Sequence, residues 1–443
     1  MNATLERAWE LKQQLVDFVL DAEGDLAIAL ETYAAENAST QQADINRRNM
    51  RIDSFTIEGE VAEKTPLDIF IETEPDLSES DRQLIQNWKQ SFMGLFEIKE
   101  ILPDGFELMN WLTAKQYFVK PNNTAQAEKM ARIKPGEILL TRIAPLSDRE
   151  WMFFGTYVPM GKLGKPKLAV AVGNFKDNYK NHLYGDAPEM LEQAWESVKQ
   201  YHDEFVEFFG SDRFTISGYE LNKKLAELQE KMTQRRLEAA GIDQSKSFDE
   251  MAEEAGVDRE EILAAAEEAG ADPKEVIKAF ENPDTSDMVT PKVQLPDDIK
   301  KAETVTCFSD PRWGQMFIPT YEKFQATLSA PEPASLPEIE RFLRYYLEDP
   351  SINYYIWQQL AEEYPKQLEN LVQTVLERPE FNLERDLESL LQEFNKPSEP
   401  TLPESASIPV HLHELFESAL MQVHKSKSKS KGKKKAAKGF QPA

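Results

Sequence analysis

The sequence predicts an α+β multidomain protein in which a small SH3-like antiparallel β-barrel is flanked by helices. An all-helical domain and a disordered basic tail follow. Three observations carry that prediction. Between Phe92 and Val158, five short aromatic and branched segments alternate with Pro, Gly, Asn and Asp turn chemistry, the pattern of short antiparallel strands. On both sides of this stretch apolar residues recur at three and four, as one face of a helix requires. Residues 425–443 hold eight lysines and no acid, a composition that cannot build a core.

Taken in order, residues 3–36 read as one helix, with Leu5, Trp9, Leu11, Leu15, Phe18, Val19 and Ala22 on its apolar stripe. The polar run from Asn37 to Asn49 interrupts it, and a short helix is expected near Pro66 to Glu72. Ser78 and Asp81 have capping-box spacing ahead of Leu84, Ile85 and Trp88. Residues 1–91 are therefore a mainly helical region. The barrel occupies 92–182, built from GLFEIKEI, FELMNWL, KQYFV, EILLTRIA and EWMFFGTYV. Its turns are Pro103-Asp104-Gly105, Pro121-Asn122-Asn123, Pro135-Gly136 and Pro145 with Ser147-Asp148. KLAVAVG (167–173) reads as a sixth strand.

Residues 183–282 are predicted helical. One helix runs from Asp186, as N-cap, to Gly210, with Leu191, Trp195, Val198, His202, Phe205 and Phe209 on one face. A second opens on Ser217 and Glu220, carries Leu221, Leu225, Leu228 and Met232, and stops at Gly241. A helical hairpin follows from Met251. Residues 283–303 read as a linker, 304–395 as an all-helical domain and 396–409 as a second linker. An amphipathic helix (410–424) then leads into the lysine-rich tail (425–443).

The passage SFMGLFEIKEILPDGFELMNWLTAKQYFV, with KPGEILLTRIAPLSDREWMFFGTYVPM after it, resembles β-domains of uncharacterised bacterial proteins, including those of photosynthetic bacteria. The resemblance covers about 70 residues and implies a central small β-barrel. It brings no activity and no site residues.

Charge is distributed unevenly. The 443 residues hold 78 acids against 51 Lys and Arg, a net of −27. Residues 425–443 stand at +8, and Leu112 to His182 holds 12 basic residues against five acids. An acidic body repels free nucleic acid, whereas a basic island inside it is a candidate anion site. No apolar run approaches about 18 residues, so no membrane span is expected. The N-terminal MNATLERAWELKQQLVDFVL lacks the layout of a secretory signal, and a cytoplasmic location is expected. The single cysteine, Cys307, excludes a disulfide framework and a thiolate zinc cluster.

Four constellations could carry chemistry. In the island, Tyr117, Phe118, Trp151, Phe153, Phe154, Tyr157, Phe175 and Tyr179 are interleaved with Lys115, Lys120, Lys129, Arg132, Lys134, Arg142, Lys162, Lys165, Lys167, Lys176 and Lys180. Cations along a backbone groove and aromatic faces for stacking are what single-stranded nucleic acid needs. Tail lysines Lys425, Lys433, Lys434 and Lys435 add to this candidate polyanion surface. Against it, strand alternation puts Trp151 and Phe153 on one side and Met152 and Phe154 on the other, so half of these aromatics belong to a core. GKLGKPK (161–167) lacks the spacing of a phosphate-binding loop.

The segment from Met251 resembles a helix-turn-helix. Its would-be recognition helix carries Glu260, Glu261, Glu267 and Glu268 against Arg259, which DNA phosphates would repel. His413, Glu417 and His424 share a helix face, yet they flank an apolar stripe suited to docking. Cys307 has no histidine near it in sequence and reads as a buried thiol.

These readings converge on a non-catalytic interaction or adaptor protein acting through helical surfaces and the barrel, with a protein partner. The alternative is a sequence-independent binder of single-stranded RNA or the ribosome, using the basic aromatic face and the tail. A hydrolase would need a pocket joining Cys307 or a histidine to acids. No cofactor, no metal, no membrane and no duplex DNA are expected.

Overall fold

The computed structural model describes residues 3–36, 45–122, 130, 132–239, 288–290, 293–330, 339–420 and 422–423. The chain is mixed α+β and divides into two compact units. Unit 1 comprises Met1–Leu191 and Pro409–Ala443, and unit 2 is Glu192–Ile408. Unit 2 is thus an insertion in the chain of unit 1. Unit 1 holds 32 acids against 29 Lys and Arg, unit 2 46 against 22, so most of the acidity lies in the insertion.

Unit 1 begins with two helices rather than one. Gly24, at φ +67°, breaks the expected single helix into α1 (Ala3–Leu20) and α2 (Asp25–Glu36). Helix α3 (Ile45–Glu58) occupies residues the sequence leaves without an element. Helices α4 (Pro66–Thr73) and α5 (Glu79–Asn87) open on full capping boxes, Thr65 with Asp68 and Ser78 with Asp81.

Five strands follow: β1 (Phe92–Leu102), β2 (Gly105–Asn110), β3 (Gln116–Lys120), β4 (Ile138–Pro145) and β5 (Trp151–Gly161). They close a barrel in the order β1-β2-β3-β5-β4. The expected SH3-like meander would set β4 beside β3. Instead β4 returns to β1, pairing from Phe92↔Ile143 to Glu97↔Ile138. Strand β3 meets β5 in parallel at Val119↔Trp151 and Lys120↔Met152. This order is that of the OB-type Greek-key barrel. The cause is the connection at residues 121–137, too long for a hairpin; from it Met130 and Ile133 pack into the barrel core.

The expected sixth strand is a helix, α6 (Lys165–Asn178). Gly164 stands before it in extended conformation, Pro166 sits in its first turn, and Leu168, Ala171, Val172 and Phe175 are buried at helical spacing. Alternation along the strands builds three cores. Phe96, Ile98, Phe106, Leu108, Val119, Leu139, Ile143 and Phe153 fill the barrel. Outside it, Ala144, Met152 and Phe154 pack on α1, α4 and α5. Met93, Leu95 and Ile138 pack on α6 and on the helix at 410–420, through Leu412 and Leu415. The C-terminal helix therefore docks on its own barrel.

In unit 2 the region expected to be all-helical (304–395) begins with two strands, which join a third from the region 183–282, also expected to be helical. β6 (Arg213–Ile216), β7 (Val305–Asp310) and β8 (Gly314–Ile318) form an antiparallel sheet in that order. Helix α7 (Pro188–Phe209) has its first turn in unit 1 and ends at Gly210, φ +79°. It does not use Asp186 as a cap, because that side chain turns to the barrel. Helix α8 (Gly218–Ala239) follows, with Ser217 and Glu220 hydrogen-bonded at its start. Val305 and Cys307 face α7 and α8. Phe308, Met316 and Ile318 face a cluster of helices between Tyr321 and Glu393. The hairpin from Met251 and the tail lie outside the described residues.

Candidate interaction surface of the barrel

The strands disperse the basic island. Lys115 sits at the β2–β3 turn and donates to the Asp186 carbonyl (2.8 Å) and to Glu189 (2.6 Å). Lys120 is buried at the end of β3 and bonds Glu150 at 2.6 Å. Trp151 points into the barrel mouth, edge-on to Tyr117 (5.1 Å) and Phe92 (5.6 Å). Tyr117 donates to Asp186 at 2.6 Å; burial, and then that carboxylate, push its phenol pKa well up. Asn110 and Thr113 donate to the same carboxylate oxygen. These aromatics hold the mouth closed and offer no stacking platform.

Arg142 is only 2% exposed. Its guanidinium donates to Ser91, Ser54 and Glu58, and His182 Nε2 lies 3.3 Å from it. Burial lowers the Arg142 pKa to about 10. Burial and the neighbouring arginine hold His182 down to about 3. The residue serves the interior and cannot touch a polyanion.

The island's other described cations are Arg132, Lys134, Arg149, Lys162, Lys165, Lys167, Lys176 and Lys180; all are exposed or half-buried. Four of them share one edge of the barrel. The ammonium of Lys162 lies over Gly136, in the turn that Lys134 opens, and Lys165 and Lys167 begin α6. Lys165 donates to Ser418 at 3.1 Å. Lys129, Lys425, Lys433, Lys434 and Lys435 lie outside the described residues.

The outward face of β1, β2 and β3 has the opposite sign. Register places Glu100 opposite Glu107 and Glu107 opposite Phe118. The neighbouring outward row is Glu97, Met109 and Gln116. All six are exposed or half-buried. Glu97 accepts from Lys99 at 3.0 Å, whereas among the described residues Glu100 and Glu107 have no cationic partner. Phe118 lies over Gly105, where a Cβ would come within 2.8 Å of its ring. The alternation of acids in GLFEIKEI and FELMN was the available sequence signal for this face; the cation count concealed it.

The remaining candidates are plain. Cys307 is buried, and burial pushes its thiol pKa up to about 12. His413 Nε2 is 3.4 Å from Glu417, while His424 lies outside the described residues. His202 Nδ1 is 3.0 Å from Ser309 Oγ, but Ser309 is 1% exposed and also receives Gln315. Among the described residues no helix is long and apolar enough to cross a membrane. No family model matches the chain, and no curated protein or solved structure matches it.

Proposed function

We propose that the chain is a non-catalytic interaction protein whose barrel docks a cationic segment of a partner protein on the outward face of β1, β2 and β3. The observation that supports this reading is the cross-strand pair Glu100–Glu107. Like charges directly opposite on one face cost roughly 0.2–1 kcal/mol, and a cation seated between them reverses the sign. Met109 and Phe118 flank the pair and supply apolar contact. In OB-type barrels the strand β2–β3 face is a recurrent ligand surface; here its charge favours a basic polypeptide over a phosphate backbone. The lone buried thiol suits a reducing cytoplasm.

A second reading rests on a separate observation, the edge formed by Lys134, Lys162, Lys165 and Lys167. Such an edge suits RNA or ribosomal phosphates, read by charge without base stacking.

One titration separates the two. A labelled peptide with the sequence of residues 425–438 serves as cationic probe, and an oligouridylate as anionic probe. Peptide binding at low salt, weakened about tenfold or more by Glu100→Gln with Glu107→Gln, is expected. Oligouridylate binding abolished by Lys162→Glu with Lys165→Glu, without peptide binding, replaces the first reading by the second.

A further inference from the structure

A separate cleft of about 550 Å³ opens in unit 1 between α1, α3 and β5, within the usual size of small-ligand sites. Its floor is made by a bulge. The register passes from Thr141↔Tyr157 to Ile143↔Phe153, so three residues of β5 oppose one of β4. The Thr156 amide freed by the bulge is taken by the buried carboxylate of Asp53, which also pairs with Lys12 at 2.6 Å. Gly155 is required there, since a Cβ would fall 1.8 Å from Asp53 Oδ2.

We infer that this cleft binds a neutral saccharide. Among the described residues Lys12 and Asp53 are the charged ones of its lining, and they neutralise each other. An ionic ligand would have to break that buried pair. The walls present the carboxamides of Gln13 from α1 and Asn49 from α3, and Asn46 and Asn122, which have partners of their own, complete the lining. A carboxamide both donates and accepts, as a sugar hydroxyl does. Trp9 supplies a flat apolar surface for the C–H face of a pyranose ring. The volume holds roughly two such rings.

An extended peptide fits the cleft less well. Among the described residues β5 pairs with β3 at Trp151 and Met152 and with no strand beyond them on that side. On that edge Pro159 has no N–H to donate, and the Thr156 amide is already committed to Asp53. Strand addition therefore loses two donors there, whereas a saccharide needs only the side chains.

The test uses the full chain and a panel of neutral trisaccharides built from glucose, mannose, galactose, xylose and N-acetylglucosamine, with calorimetry as readout. Saturable binding of at least one is expected. Trp9→Ala and, independently, Asn49→Ala should weaken it at least about tenfold, while Glu100→Gln with Glu107→Gln leaves it unchanged. Asn49 is exposed, so its variant reports on the site even where Trp9→Ala lowers the melting temperature. The inference is overturned by no binding from the panel at about 20 mM, or by binding indifferent to Asn49→Ala.

Discussion

Along β1 the outward side chains change from Met93 and Leu95 to Glu97 and Glu100, and the two halves of the barrel wall differ accordingly. The first half, with β4 and β5, lies under helices. The charges there, Lys12 and Arg142, are buried and paired within the chain, with Asp53 and Glu58. The second half, with β2 and β3, keeps Glu100 and Glu107 exposed or half-buried and without a cationic partner among the described residues. A buried charge must be matched by its own chain because nothing else can match it. An exposed pair of like charges is tolerated at small cost and leaves the matching to a partner. Charge therefore serves the fold on one half and is open for recognition on the other.

The largest expected effects break the covered half. Phe154→Ala removes a fully buried ring from between β5 and the helices and should cost about 3–5 kcal/mol. Phe118→Ala on the open half should cost under about 1 kcal/mol while weakening peptide binding. Chemical denaturation of both variants checks the contrast. Lys12→Met strands the Asp53 carboxylate and should also cost about 3–5 kcal/mol. Adding Asp53→Asn should recover part of that loss. A double variant no better than the single would show that Lys12 contributes packing and not charge.

The next effect is a pH dependence. The His182 pKa lies near 3 in the folded chain against an ordinary value of 6.5, so between these values the unfolded chain binds the extra proton. Stability should therefore be complete above about pH 6.5 and fall as pH drops toward 3, by at most about 1.4 kcal/mol per unit from this group. His182→Gln should remove about one proton from the slope of stability against pH. Equal slopes in both proteins would place the acid sensitivity in the carboxylates alone.

How much of this was legible in the sequence depended on where each partner lay. The caps at Ser78 and Ser217, the stop at Gly210 and the five barrel strands are local signals, and each appears where the spacing puts it. Helix α3 was invisible because its buried face includes Asp53, Ser54 and Thr56, so apolar periodicity is weak. Its matching groups, Lys12 and Arg142, lie 41 and 88 residues away. The strand at Val305–Asp310 was missed for the same reason, since its partner β6 is 89 residues upstream at Ile216↔Val305. KLAVAVG misled through its branched residues, although Leu168, Ala171, Val172 and Phe175 already carried the helical period. Counting cations located the basic island; it could not show that Lys115, Lys120 and Arg142 are used internally.

The smallest effect is the sharpest discriminator between the two halves. Glu100 and Glu107 face each other across β1 and β2 with no described cation between them. Removing one charge should therefore stabilise the free protein. For Glu100→Gln the expected gain is about 0.2–1 kcal/mol, larger at low salt, since exposed repulsion is screened over about 10 Å at 0.1 M. The same change should weaken the cationic peptide, because its attraction came from the charge now missing. On the covered half no substitution of a charged residue should behave this way: Lys12→Met and Arg142→Met should lose stability and gain nothing. Opposite signs for stability and binding at Glu100 would mark a residue retained for recognition. If Glu100→Gln instead destabilised the protein, the carboxylate would belong to the fold, and the difference between the two halves would reduce to exposure alone.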